Sequence, residues 1–329
     1  MTSSDLWSAE TAERYDELSA FMFEPAVLDP AVDFLAQLAD GGPVLEFAIG
    51  TGRVAVPLAE RGVAVSGIEL SSPMVDQLKR KRTDIPVVVG DMATSTMPGQ
   101  FSLVYVVWNS IGNLRTQAEQ VACFRNAARH LAPGGRFVVE LWIPGIRRLP
   151  PGGAAVPFHV GQHHVGLDTY DLTTQQGTSH HYRHHPDGTV THGTSNFRYI
   201  WPAECDLMAQ LAGLELERRI ADWHGNPFMN DSESHVSVWR KAADRAGPER
   251  VVAWQIGASP AAYGIVVSRA PPTTQPWRDC LSNRPTLWAP TIEPRRTCRR
   301  SLTGTDCTLD EEGGRSGPQR WTGSEAAHG

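Results

Sequence analysis

The stretch Val44–Arg53, VLEFAIGTGR, decides how this chain is read. A short apolar run carries an acid, Glu46, and the chain then turns through Ala48, Gly50 and Gly52 before a helical pattern begins. Small residues let the backbone approach a ligand closely, and glycine takes positive φ at little cost. The helix that follows directs its free N–H groups at the same place. If the run is a strand of a parallel sheet, the turn lies beyond the strand's carboxyl end, where open α/β sheets bind ligands.

Outward from this turn the pattern repeats. Arg53 to Arg61 is helical and Gly62 closes it; VAVSGIEL (63–70) is a second strand, and Ser72 to Arg82 a helix with Pro73 in its first turn. Pro86 to Val89 and Phe101 to Trp108 are further strands. Thr116 to Leu131 is a long helix, and the turn Pro133-Gly134-Gly135 leads into a fifth strand, Arg136 to Leu141. Upstream, residues 5–40 read as two helices, the second starting near Pro30 and stopping at Gly41-Gly42. Strands alternating with helices of this length mean βαβ units and a parallel sheet covered on both faces.

After Pro144 the rhythm changes. Residues 155–201 alternate as strands do around a Pro186-Asp187-Gly188 turn, which predicts a hairpin. A helix from Glu204 to Ala212 and strands at 214–218 and 234–240 close the sheet. The fold class expected is α/β: a Rossmann-like, seven-stranded, mostly parallel sheet with helices on both faces and an antiparallel cap inserted after strand five. From residue 242 onward, and above all over 269–329, Pro, Arg, Thr and Gly prevail without periodicity, so a largely disordered extension is expected there.

The turn also discriminates between ligands. A dinucleotide fingerprint needs GxGxxG with pyrophosphate at the helix N-terminus; here the small residues fall as AxGxG and Arg53-Val54 follow, so the third glycine is missing. Glu46 suits a cationic ligand and opposes a pyrophosphate, which favours S-adenosylmethionine over NAD. Glu69 ends the second strand and suits the two hydroxyls of a ribose, which both ligand classes carry. Asp91 and Met92, after the third strand, suit an adenine: the acid accepts from its exocyclic amine and the thioether covers a ring face.

Bulk properties narrow the field. A chain of 329 residues, 41% hydrophobic and 20% charged, is ordinary globular material, and its net charge of -6 argues against affinity built on phosphate neutralisation. The N-terminus lacks the basic start and apolar run of an export signal, and no window approaches the roughly 18–20 apolar residues that cross a bilayer. Five cysteines without metal-ligand spacing exclude a disulfide framework and a zinc site. The expectations are a cytoplasmic protein, no metal, no nucleic-acid or membrane partner, and a monomer or homodimer; Cys123 and Cys205 are expected in the core.

Five motifs, VLEFAIGTGR, VSGIELSSPMV, VVVGDM, FSLVYVVWNSIGNL and HLAPGGRFVVE, stand in the order and spacing of class I S-adenosylmethionine-dependent methyltransferases. The sequence resembles that family over about residues 40–142, and through SHVSVWRK near 241 it resembles the small-molecule branch that N-methylates aminosugars and modifies secondary metabolites. The resemblance implies a lid over 1–40, a cofactor-binding core over 41–144, a substrate cap over 145–201 and closing elements over 202–241. It implies that Glu46, Gly50 and Gly52 line the methionine end of the cofactor, with Ala48 and Arg53 also among the cofactor-binding residues. Glu69, Leu70 and Met74 would hold the ribose and adenosine, Asp91 and Met92 the adenine. Trp108, Asn109 and Ser110 would lie under the sulfonium, and Tyr15, on the lid helix, would close over the cofactor. Ala48 departs from the commonest pattern, which has Gly.

The reaction expected is in-line methyl transfer to an N or O nucleophile of a small organic acceptor. Glu140, His180, His181 and Tyr182 are candidates for the general base. Eight histidines crowd residues 159–192, and neighbours on a strand point to opposite faces, so each His-His doublet offers one imidazole per face. Solvated hairpin histidines are the plainer reading. Rival functions are a Rossmann-type oxidoreductase and a catalytically inactive cofactor-binding protein on the same fold.

Overall fold

Strand and helix alternate as expected through the computed structural model, which describes residues 2–5 and 7–243. Helices α1 (Ala9–Leu18) and α2 (Pro25–Ala39) precede β1 (Val44–Phe47), α3 (Ala55–Glu60), β2 (Val65–Glu69), α4 (Ser72–Lys81) and β3 (Val87–Val89). Then come β4 (Phe101–Val106), α5 (Gln117–His130) and β5 (Leu131–Trp142). The closing elements are α6 (Pro202–Leu211), β10 (Leu214–Ile220) and β11 (Ser234–Lys241).

The seven-stranded sheet runs β10-β11-β5-β4-β1-β2-β3, and β11 alone is reversed against its neighbours. One face is covered by α2, α3 and α4, whose Leu35, Leu58 and Leu78 meet Val44, Leu103, Tyr105 and Val138 without exposure to water. The other lies under α5 and α6, where Phe124, Cys123 and Cys205 pack on Phe47, Phe137 and Trp239. Both cysteines are therefore core residues, and burial pushes their thiols well up. With Val44, Leu45 and Phe47 fully buried, β1 is covered on both faces as a central strand of a parallel sheet is, and Glu46 is its one polar residue.

Three expectations need correction. The second helix begins at Pro25, its first residue, so Pro30 lies inside it and merely removes the N–H that would reach Ala26. The Pro133-Gly134-Gly135 turn lies within β5, where the register slips between Phe101 and Leu103 and Gly134 takes a φ of +78°. The predicted hairpin is a separate four-stranded antiparallel sheet: β6 (Ala155–Val160), β7 (His164–Asp171), β8 (Gln176–His184) and β9 (Val190–Arg198). The extension expected beyond residue 242 lies almost wholly outside the described residues.

Candidate functional site

The cleft opens at the carboxyl ends of β1, β2 and β3. Ala48 and Gly50 both take left-handed backbone there, with φ of +54° and +56°. A Cβ added to Gly50 would meet only the Ala48 carbonyl, at 3.9 Å, so this backbone is bare toward the cleft. Gly52, at φ +84°, has a different reason to be glycine: a Cβ would fall 2.3 Å from Leu78.

Glu69 ties the turn to the next strand. Its two oxygens accept the Gly50 and Ser71 N–H groups, each at 2.8 Å. Burial raises its carboxyl above the usual range against these opposing bonds. On the far side of the cleft Asp91 accepts the Ala93 N–H at 2.8 Å, so it both lines the site and caps the turn behind it. That loop is held from α5. Asn126 donates to the Met92 and Ser95 carbonyls at 2.8 Å each. His130 Nε2 accepts the Met97 N–H at 2.9 Å, which leaves Nδ1–H to donate to the Asn126 carbonyl at 2.8 Å.

The N-terminal segment closes the third side. Ser4, Asp5, Trp7 and Tyr15 line the cleft, and Trp7 meets Tyr15 edge-on at 5.6 Å. Ser4 Oγ donates to the Asn113 carbonyl at 2.9 Å, and Ser71 Oγ to that of Trp7 at 3.1 Å. From α1, Asp16 accepts the Thr51 hydroxyl at 2.6 Å and pairs with Lys81.

Of the residues singled out from the sequence, Tyr15, Ala48, Gly50, Glu69, Leu70, Met74, Asp91, Met92 and Ser110 line this cleft. Gly52, Glu46, Arg53, Trp108 and Asn109 do not. Glu46 is buried beneath the turn, accepting the Tyr105 hydroxyl at 2.8 Å, and burial pushes its carboxyl up to about 8. Arg53 lies over the Trp108 ring, 5.2 Å from its centroid. Trp108 and Asn109 form a turn after β4 with φ of +55° and +59°. Ser4, Asp5, Trp7, Ile68, Asn113 and Leu114 were not foreseen. Asn113 and Leu114 belong to a motif that sequence reading had marked, whereas the short N-terminal segment carries no periodicity to announce it.

The base candidates are placed as follows. Glu140 Oε2 accepts the Trp108 N–H and Oε1 the Trp223 indole N–H, both at 2.7 Å. His180 and Tyr182 lie on one face of the small sheet in a stack with His192, with ring centroids 5.5 and 4.4 Å from it. His181 lies on the other face, stacked at 5.2 Å on His164. None of the four lines the cleft.

The cleft walls hold three acids, Asp5, Glu69 and Asp91, and no lysine or arginine among the described residues. Such walls repel a pyrophosphate and accept the hydroxyls and amine of a nucleoside, so the residues present fit S-adenosylmethionine and not a dinucleotide.

Comparison with known proteins agrees. A family model described as a methyltransferase domain matches residues 44–135. A cypemycin N-terminal methyltransferase from a Streptomyces species is 30% identical, covering 72% of this chain and 98% of its own length. A dTDP-3-amino-3,6-dideoxy-α-D-glucopyranose N,N-dimethyltransferase of Streptomyces fradiae is 37% identical over 30% of this chain and 39% of its own. Among solved structures, the CcbJ methyltransferase of Streptomyces caelestis superposes with a TM-score of 0.60 at 38% identity, covering 65% of this chain and 89% of that one. A relative aligned along nearly its whole length, on a fold whose cleft turns away pyrophosphate, leaves one assignment: the chain belongs to the S-adenosylmethionine-dependent methyltransferases.

Proposed function

We propose that this enzyme methylates an amine of a small organic acceptor, with the cofactor in the cleft described above. Glu69 would take the ribose hydroxyls, and Asp91 and Met92 the adenine, between Leu70 and Met74. The methionine end would lie along Ala48 and Gly50, with Gly52, Glu46 and Arg53 behind it. Tyr15 and Trp7 would exclude water from the closed site. The cofactor supplies a methyl group already activated on a sulfonium, so the departing sulfur needs no acid. What remains for the protein is alignment, worth several kcal/mol of barrier when reacting atoms are held in near-attack geometry.

The observation that carries the amine reading is the state of Glu140. Its carboxylate braces the Trp108 and Trp223 N–H groups and does not line the cleft, so the acid on the strand beside the turn is not placed to take a proton there. A hydroxyl nucleophile needs a base more urgently than an amine, whose lone pair is available once the ammonium has lost its proton to water. Of the two relatives described above, one is named an N-terminal methyltransferase and the other an N,N-dimethyltransferase of a nucleotide-linked aminosugar.

The test is a panel offered to the purified protein with S-adenosylmethionine. It holds a dTDP-linked 3-amino-6-deoxyhexose, a peptide with a free N-terminus, and the hydroxyl analogue of the sugar. Mass spectrometry reads the product and chromatography the S-adenosylhomocysteine formed. The reading expects methylated amine and untouched hydroxyl analogue; methyl transfer to the hydroxyl alone would overturn it.

A further inference from the structure

The turn after β4 has a backbone that its own sequence does not favour. Trp108 and Asn109 are consecutive left-handed residues, at φ +55° and +59°. Asparagine visits this region readily, whereas a bulky residue such as tryptophan is an outlier there. Such a conformation persists only where the surroundings over-determine it.

The surroundings that do so are set by one residue of the neighbouring strand. The β4–β5 ladder is paired as far as Val106 and Val139. Beyond it Glu140 takes over with both side chain and main chain: its Oε2 accepts the Trp108 N–H at 2.7 Å, and its carbonyl accepts the Asn109 N–H at 3.2 Å. The carboxylate is itself fixed, because Oε1 accepts the Trp223 indole N–H at 2.7 Å and Trp223 packs edge-on against Phe34 of α2 at 5.5 Å. Three groups then grip the Trp108 ring: Arg53 at 5.2 Å, Phe21 at 6.0 Å and Trp142 at 5.6 Å.

We infer that Glu140 is a positioning residue, locked by Trp223, whose carboxylate holds the Trp108–Asn109 turn in left-handed backbone and thereby fixes the aromatic wall beside the transferred methyl group. The inference rests on the reading that the methyl group lies at this turn. It assigns Glu140 a role other than proton acceptor, and it assigns Trp223, far along the chain, to the same device.

Hydrogen-bond chemistry gives a test that a general base would not pass. A glutamine at this position has one acceptor oxygen and one NH2 group, yet two N–H donors approach from different sides. Glu140→Gln therefore sets a donor against a donor, and Trp223→Phe removes the second donor and the conflict with it. The readout is the exciton couplet of the Trp108–Trp142 pair in circular dichroism of the full chain, assigned by its loss in Trp142→Phe. The couplet needs no acceptor, so its outcome is read separately from the acceptor panel.

Glu140→Gln is expected to lose more than about half of the couplet, and Glu140→Gln/Trp223→Phe to regain it. Affinity for S-adenosylmethionine by calorimetry should stay within about threefold of wild type in the double variant, since the cleft walls are untouched. If the single variant fails to fold, recovery of fold and couplet in the double variant supports the same device. A single variant with an unchanged couplet, or a double variant as depressed as the single, would overturn it. So would a double variant that regains the couplet yet transfers no methyl group to an amine that the wild type accepts, since Glu140 would then be the base.

Discussion

Glu46 stands fully out of water, with the Tyr105 hydroxyl on one oxygen, and burial pushes its carboxyl up to about 8 from 4.5. Between those values the folded chain holds a proton that the unfolded chain has released. Stability from this group is therefore complete below pH 4.5 and is lost as pH rises through about 8. The slope is roughly 1.4 kcal/mol per pH unit while both conditions hold. Glu46→Gln removes the titration, so the stability difference between wild type and variant, read from urea midpoints, should move against the wild type as pH rises across that window. A difference flat in pH would show that Glu46 is ionised in the folded chain. Legibility differs residue by residue at this scale. Gly50 and Gly52 announced a left-handed turn because glycine is the residue that adopts one freely. The same conformation at Trp108 was invisible, since its cause is a carboxylate more than thirty residues away and a tryptophan does not encode it.

Among the elements, α5 does the most to shape the cleft without touching it. Thr116 and Glu119 form a reciprocal capping box at its start, the signature that makes this helix easy to read in the sequence. Its Asn126 and His130, one turn apart on the inner stripe, hold the loop that carries Asp91 and Met92. Their role was not legible, because polar residues on a buried helical face look the same whether they pair locally or brace a distant loop. His130→Ala would strand the Met97 N–H and should cost about 1–3 kcal/mol of stability. It should also weaken S-adenosylmethionine binding about tenfold as the adenine loop loosens; loss of stability with unchanged affinity would show that the loop holds its shape unaided. Burial lowers the pKa of this imidazole, so its contribution is present above the ordinary histidine range and is lost as pH falls. The small sheet shows the opposite failure. Its β8–β9 turn was found from Pro186-Asp187-Gly188, but β7 and β8 are joined through Leu172–Gln175, which has neither Gly nor Pro, and Gln175 takes the left-handed position at φ +58°. The signal there was subtler: Asp171 accepts the Thr173 N–H at 2.8 Å, an Asx-type turn.

At the scale of the molecule, sheet order follows from alternation, right-handed crossovers and the position of the ligand turn. The reversed β11 follows from a different cause, the return of the chain after β10 to pair with β5 over the whole span from Ser234 to Arg240. That pairing completes the core: Trp239 is fully buried against Phe124 and Phe137. Every wall of the cleft lies between Ser4 and Leu114. No helix among the described residues is long and apolar enough to cross a membrane. These facts make a strong claim about a chain cut after residue 243, the last described. It should unfold in one cooperative transition and bind S-adenosylmethionine within about threefold of the full chain, because a core closed by β11 and a cleft built before α5 need nothing downstream. Calorimetric titration of both lengths decides the matter. Equal affinities would place cofactor recognition wholly within residues 1–243, whereas a tenfold or greater loss would mean that residues beyond 243 contribute a wall or brace to the site.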